Sequence, residues 1–152
     1  FKLVKVQDIF EVVYGVNLEL NKLEQEPNGI NFVSRTAKNN GVSAKVKVID
    51  KVKPNPKNVL SVAGGGSVLE TFLQEEPFYS GRDLYYLKPK DKMSKEHLLF
   101  FSVYIKKNAY RYNYGRQANR TLKDLLIPYP KTKISFEKIA KFIKSLHFSK
   151  QI

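Results

Sequence analysis

The chain has no cysteine and no tryptophan, and among its 152 residues it has one methionine and two histidines. Without cysteine there is no disulfide framework, no thiolate metal site and no cysteine nucleophile. The two histidines, His97 and His147, have no partner residues at the spacing that metal ligands usually show. The sequence therefore predicts neither a metal site nor a bound cofactor.

Long apolar runs are also missing. The longest run, HLLFFSVYI, is closed by Lys106 and Lys107 and falls well short of the ~20 residues that a membrane-spanning helix needs. The chain shows no secretory signal peptide and begins at Phe1 rather than at methionine, which indicates a piece excised from a longer protein. We expect a cytoplasmic protein without membrane contact.

Patterns typical of catalysis are absent as well. The carboxylates Glu24, Glu26, Glu75 and Glu76 lie in predicted polar loops and form no acid–base pair. The glycine triplet at 64–66 fits neither a dinucleotide-binding fingerprint nor a Walker loop, and a sharp bend between strands explains it better. The sequence predicts a chain that is not an enzyme and has no small-molecule ligand.

Positive charge is abundant, and it is unevenly placed. Residues 1–80 carry 10 Lys and Arg against 9 Asp and Glu, whereas residues 81–152 carry 17 against 5. Nearly all of the net charge of +13 therefore lies in the second half. Such a concentration is typical of a surface that binds nucleic acid, an anionic membrane or an acidic protein.

The basic half contains one segment without any acid. Residues 106–123 read KKNAYRYNYGRQANRTLK, with six cations, three tyrosines, three asparagines and one glutamine. Lysine and arginine neutralise phosphates, while arginine, asparagine and glutamine also pair with base edges in the major groove. A solvated basic face near a helix end is the simpler alternative.

Two turns offer further candidates for contact with a nucleic acid. The turn AKNNG at 37–41 carries Lys38, Asn39 and Asn40, which fit a loop laid into a groove but also fit a capped hairpin. The turn YSGRD at 79–83 presents Arg82, whose simpler role is a salt bridge with Asp83. Both interpretations stay open for each turn.

The order of secondary structure predicts an α+β fold. We expect a first helix at 5–13, a helix at 95–108 capped by Ser94, one or two helical turns at 121–127, and a last helix from Ser135. Strands are expected at 29–35, 43–50, 58–63, 67–74 and 83–89. These elements indicate a twisted, mostly antiparallel multi-stranded sheet flanked by helices.

Three stretches together resemble one protein family. They are GINFVSRTAKNNGVSAKV at 29–46, SVAGGGSVLETFLQEEPFYSGRDLYYLKPK at 61–90 and YRYNYGRQANRTLKDLLIPYP at 110–130. In this order they are similar to target recognition domains, which occur in specificity subunits of type I restriction–modification systems and in related fused type II restriction enzymes. The resemblance implies a DNA target recognition domain at 1–130 and a C-terminal helix at 131–152, either the start of a spacer or a packed end helix.

The resemblance also implies a function. Such a domain binds double-stranded DNA sequence-specifically and directs methyltransferase and restriction subunits, or a fused catalytic domain, to their site. Residues whose positions and chemistry suit the DNA-facing surface are Arg35, Lys38, Asn39, Asn40, Ser80, Arg82, Lys106, Lys107, Arg111, Asn113, Tyr114, Arg116, Gln117, Asn119 and Arg120. Lys106 and Lys107 are expected on phosphates. The alternative is a basic module that binds RNA or an acidic protein without a DNA target.

Overall fold

The computed structural model describes residues 2–111, 121–130 and 138, with the backbone alone at 110 and 111. The elements, in chain order, are β1 (Lys2–Lys5), α1 (Val6–Ile9), β2 (Phe10–Tyr14), β3 (Gln25–Val33), β4 (Val42–Val46), β5 (Val59–Ala63), β6 (Thr71–Gln74), β7 (Phe78–Ser80), β8 (Leu84–Pro89), α2 (Lys95–Lys106) and β9 (Leu126–Tyr129). Short 3-10 turns lie at Leu20–Lys22, Asn39–Gly41, Lys107–Arg111 and Leu122–Asp124.

Nine strands form three small sheets within the described ranges. The first has four strands in the order β2-β8-β5-β6, all antiparallel. The second has the order β4-β3-β7, in which β3 runs antiparallel to β4 and parallel to β7. The third pairs β1 with β9 in antiparallel register, with Lys2 opposite Tyr129. The expected α+β fold with mostly antiparallel pairing is confirmed.

Helix α2 covers the four-stranded sheet with its apolar side. Ser94 caps it by accepting a hydrogen bond from the backbone N–H of His97 at 3.2 Å, as the sequence predicts. Phe100 and Phe101 are fully buried, and Phe101 meets Phe10 of β2 edge to face at 5.6 Å. Burial of each such ring contributes about 2 kcal/mol. The helix therefore anchors the start of the acid-free segment.

The four-stranded sheet has apolar residues on both faces. One face packs in the large cluster with α2, and the other joins a smaller cluster of Val33, Val59, Phe78 and Leu84, which draws residues from both of the larger sheets. This is why all five residues of β5 are buried, since neither face of that strand meets water. A strand fixed on both sides gives the loops at its ends a firm base.

Two predicted helices are wrong in part. The helix expected at 5–13 is a single turn, Val6–Ile9, and residues 10–14 form β2 because they pair along β8. The helical turns expected at 121–127 shrink to Leu122–Asp124, after which Leu126–Tyr129 form β9 against β1. Both errors arise from pairing with distant strands, which overrides local periodicity. The last helix, expected from Ser135, lies outside the described residues except for Lys138, which is helical and exposed.

Candidate nucleic-acid interface

Three loops meet at one end of the strands. They are the β3–β4 loop (34–41), the β5–β6 loop (64–70) and the β7–β8 turn (81–83), and we refer to them together as the loop edge. The backbone N–H of Gly64 donates to the carbonyl of Asp83 at 2.7 Å, joining two of the loops. Nη1 of Arg35, in the β3–β4 loop, lies 3.5 Å from the carboxylate of Asp83, and this contact joins the β3–β4 loop to the other two. The loop edge is thus one connected surface.

Asp83 holds two arginines at this edge. Its Oδ2 lies 3.5 Å from Nη1 of Arg35 and 3.6 Å from Nε of Arg82. The Arg82 side chain is 71% exposed, the Arg35 side chain 28% and the Asp83 side chain 15%. The carboxylate therefore sits below two guanidinium groups, one facing solvent and one half-buried. The salt bridge foreseen for Arg82 is present, and it leaves most of that side chain accessible.

The backbone around Asp83 is built to present this cluster. Asp83 has a φ of 55°, a left-handed conformation that aspartate and asparagine tolerate better than most residues. Its N–H donates to the hydroxyl of Tyr14 at 2.8 Å, and the Tyr14 ring stacks on Tyr85 at 5.1 Å. Burial, followed by the neighbouring Tyr14 and Asp83, raises the pKa of Tyr85 above its ordinary value.

Gly66 makes room for Arg35. A Cβ on this glycine would lie 3.1 Å from Cβ of Arg35 and 3.2 Å from its carbonyl oxygen, and the φ of +59° is one that glycine adopts readily. A side chain here would require Arg35 to shift slightly and would strain the backbone. Gly66 therefore allows close approach of the β5–β6 loop to Arg35, in keeping with the bend that the sequence predicts.

A groove of about 550 Å³ opens beside the two arginines. Phe32 and Leu18 supply apolar lining, while Asn17, Glu19 and Ser34 supply polar groups next to Arg35 and Arg82. The combination of guanidinium, amide, carboxylate and hydroxyl groups over an apolar floor can exchange hydrogen bonds with base edges. No sequence pattern singled out Asn17 or Glu19, because a turn far from the basic half brings them here.

The β3–β4 turn uses its amides internally. Nδ2 of Asn40 donates to the carbonyl of Leu73 at 3.0 Å, and the carbonyl of Asn40 accepts from Nε2 of Gln74 at 2.9 Å. Nδ2 of Asn39 donates to the carbonyl of Val42 at 3.1 Å. Asn39 remains exposed and Asn40 is half-buried, whereas Lys38 is exposed at the tip. The hairpin-capping interpretation therefore accounts for the amides of Asn39 and Asn40, and Lys38 is the exposed cation of this turn.

Ser80 is part of the core and not of the surface. It is 0% exposed; its hydroxyl accepts from Nδ2 of Asn55 at 2.8 Å and donates to the carbonyl of Val16 at 2.7 Å. Asn55 Oδ1 in turn accepts from the N–H of Val16 at 2.9 Å. This closed network ties three segments together. The expected contact of Ser80 with DNA is wrong in this structure, because its hydroxyl is enclosed.

The two lysines at the end of α2 differ from each other. Nζ of Lys106 lies 2.8 Å from a carboxylate oxygen of Glu70 and 5.6 Å from the Phe72 ring centroid, so its charge is already compensated. Lys107 is exposed, with Nζ 5.1 Å from the Tyr104 ring centroid. Asn108, the next residue, is buried and donates to the carbonyl of Tyr104 at 2.9 Å. The first residues of the acid-free segment therefore contact the folded core of the protein.

The remaining candidates lie beyond the described residues. Arg111 is described only as backbone at the end of a 3-10 turn. Asn113, Tyr114, Arg116, Gln117, Asn119 and Arg120 fall in the undescribed range 112–120. Their expected role on a DNA-facing surface stays a prediction. What the structure does place is the start of this segment, at Lys106, next to the β5–β6 loop through Glu70.

In the described part of the chain, no helix is long and apolar enough to cross a membrane. No group of three or more histidine, aspartate or glutamate side chains in the same residues stands close enough to hold a metal ion.

Comparison with known proteins places the chain in a family. Residues 1–150 match the family model of the type I restriction modification DNA specificity domain. A curated relative, the type II restriction enzyme BgcI specificity subunit S.BcgI from Heyndrickxia coagulans, is 28% identical over 126 residues, which are 82% of this chain and 37% of the relative.

Solved structures share the fold. The HsdS subunit from Thermoanaerobacter tengcongensis superposes with a TM-score of 0.71 at 16% identity, over 97% of this chain and 37% of the subunit. The S subunit of a type I restriction-modification system from M. genitalium gives 0.70 at 19% identity, over 99% and 39%. The chain thus spans less than two fifths of the length of these relatives. The match over nearly the whole sequence shows that the chain belongs to the family of type I restriction modification DNA specificity domains.

Proposed function

We propose that residues 1–130 form a domain that binds double-stranded DNA of a particular sequence through the loop edge. The observation that carries the proposal is the Arg35–Asp83–Arg82 cluster beside a polar groove, in a chain of the DNA specificity family. Arginine is the side chain that most often reads guanine, because its guanidinium group pairs with O6 and N7 together. Clustered arginines on an accessible edge therefore suit reading of bases.

The groups at the loop edge divide into two roles. Arg82 contacts Asp83 through Nε, so its two terminal nitrogens remain to donate a paired hydrogen bond to a guanine. Lys38 and Lys107 are exposed cations suited to phosphates, which position the domain without reading sequence. Lys106 contributes mainly through its contact with Glu70, which fixes the start of the acid-free segment. Arg111, Arg116 and Arg120, with their neighbouring amides, extend the same surface in this proposal.

The wider setting belongs to the same proposal. The chain would be one recognition unit of a longer specificity subunit, with residues 131–152 forming a helix that leads into a spacer or packs at the end. The subunit would direct methyltransferase and restriction subunits, or a fused catalytic domain, to DNA in the cytoplasm. The family match and the names of the relatives, which are specificity subunits of type I and type II systems, support this assignment.

A binding selection tests the proposal. The full parent subunit is incubated with a library of random duplexes, and bound DNA is sequenced over several rounds at fixed salt. A sequence-reading domain enriches a defined motif, and the motif duplex then binds tighter than its shuffled version. Equal binding of both duplexes, or preference for RNA of the same length, would support the basic interaction module instead.

A matched pair of double variants assigns the surface. Arg35→Gln combined with Arg82→Gln removes two charges from the loop edge. Lys57→Gln combined with Lys88→Gln removes two charges near the ends of β5 and β8 that lie farthest from the loop edge. We expect the arginine pair to lose about 2–5 kcal/mol of binding to the selected motif. The lysine pair should lose far less, because its charges lie away from the loops. Equal losses would place the reading surface elsewhere.

A further inference from the structure

We propose that Asp83 is a positioning residue that sets the sequence discrimination of the loop edge without contacting DNA. This inference rests on the proposed function and goes one step further, since it assigns specificity to an acid in a surface meant for a polyanion. One carboxylate oxygen lies within 3.6 Å of both guanidinium groups. A carboxylate repels phosphate, so its presence at this place needs a reason other than affinity.

The reason is the relation between the two arginines. Two cations that share one partner atom repel each other, and the carboxylate offsets that repulsion and fixes their separation. The Arg82 side chain is 71% exposed, so few contacts besides Asp83 restrict its rotamers. Ordering it before DNA arrives lowers the entropy that binding must overcome. Such ordering raises the affinity for the selected motif, whereas the affinity for a shuffled duplex depends on the charge alone.

Asp83 is itself held firmly. Its side chain is 15% exposed, its N–H donates to Tyr14 at 2.8 Å, and its carbonyl accepts from Gly64 at 2.7 Å. Tyr14 of β2 and Gly64 of the β5–β6 loop thus hold the backbone of Asp83, and the low exposure of its side chain limits the movement of the carboxylate. A residue held in this way can act as a reference point for two longer and more mobile side chains.

The test replaces Asp83 by asparagine in the full parent subunit. Asparagine has nearly the same shape and tolerates the left-handed backbone, so the fold should persist. We expect affinity for the selected motif to fall about tenfold, because the arginines lose their alignment, and affinity for the shuffled duplex to rise about twofold, because the net charge rises by one. Opposite changes on the two duplexes are the signature of positioning.

A charge-matched control and a second variant complete the design. Glu11→Gln makes the same change in charge at an exposed position of β2, near the opposite end of the strand from Tyr14, and should raise both affinities alike. Tyr14→Phe loosens Asp83 without changing charge and should lower the ratio of the two affinities by a smaller factor. An unchanged ratio in both the Asp83 and Tyr14 variants overturns the inference, as does an equal fall on both duplexes with a lowered Tm. If the unmodified subunit itself fails to distinguish the duplexes, the proposed function fails instead.

Discussion

The β3–β4 turn and the β7–β8 turn carry similar polar residues and use them in opposite ways. In the first, Asn39 and Asn40 donate their side-chain amides to backbone carbonyls of the protein. In the second, Arg82 extends from the surface and keeps a single described ionic contact, to its neighbour Asp83. Both turns contain residues with positive φ, so backbone shape does not distinguish them.

The difference follows from the reach of the side chains. An asparagine amide lies close to its own backbone and readily satisfies carbonyls in a tight turn. An arginine is long enough to leave the turn, and its charge favours contact with solvent or with an anion. Amides in turns are therefore weak indicators of base recognition, whereas an exposed arginine supported by a fixed acid is a stronger one.

The largest expected effect is on stability and comes from a substitution in the β3–β4 turn. Replacing Asn40 by alanine removes the hydrogen bond to Leu73 and places a Cβ-bearing residue without a polar side chain at a φ of 56°. We expect a loss of about 2–3 kcal/mol in the free energy of unfolding, measured by urea denaturation. Asn40→Gly, which accepts the backbone conformation, should lose about half as much. Equal losses for both variants would show that the hydrogen bond accounts for all of the effect.

The next effect compares the contributions of Arg82 and Lys38, the exposed cations of the two turns, to DNA affinity. Arg82→Ala should weaken binding of the selected motif by about 1–3 kcal/mol and relax the preference at one base pair. Lys38→Ala should weaken the selected and shuffled duplexes alike by less than about 1 kcal/mol, with a smaller dependence on salt. Titrations by fluorescence anisotropy at two salt concentrations measure both. A base-specific loss in the Lys38 variant would reverse the roles given to the two turns.

The smallest effect concerns pH and the support of the second turn. Because burial, Tyr14 and Asp83 raise the pKa of Tyr85, the unfolded chain ionises this phenol first, at about 10. Its contribution to stability is complete below that pH and is lost as pH rises through the folded value. We expect the decline in urea midpoint at alkaline pH to be shallower in Tyr85→Phe. An identical decline in both proteins would mean that other groups control it.

Local sequence signals predicted the elements that depend on local contacts. Helix α2 begins after its Ser94 cap, and strands β5, β6 and β8 lie within or close to their predicted ranges, because a capping residue or an adjacent turn defines each end. The residues at 5–13 and 121–127 were misread because their partners lie far away. Phe10 pairs with Pro89, and Leu126 pairs with Lys5, so no local window contains the deciding contact.

The residue types of the candidate site could be predicted from the sequence, but whether each side chain is exposed and unpaired could not. The sequence identified Lys38 and Arg82 from their turns and Arg35 from the family resemblance, and the structure places all three on the loop edge or at its exposed tip. It also included Ser80, which the Asn55 network encloses, and treated Lys106 as an open cation, although Glu70 compensates it. Burial and long-range ion pairs decide these cases, and neither is encoded in the neighbouring residues.

The pairing of β1 with β9 has a consequence for evolution. Lys2 lies opposite Tyr129, so two points that more than a hundred residues separate along the chain lie side by side. A unit with adjacent ends can be inserted into a longer protein, or exchanged for a relative with different loops, without altering the distance between the flanking segments.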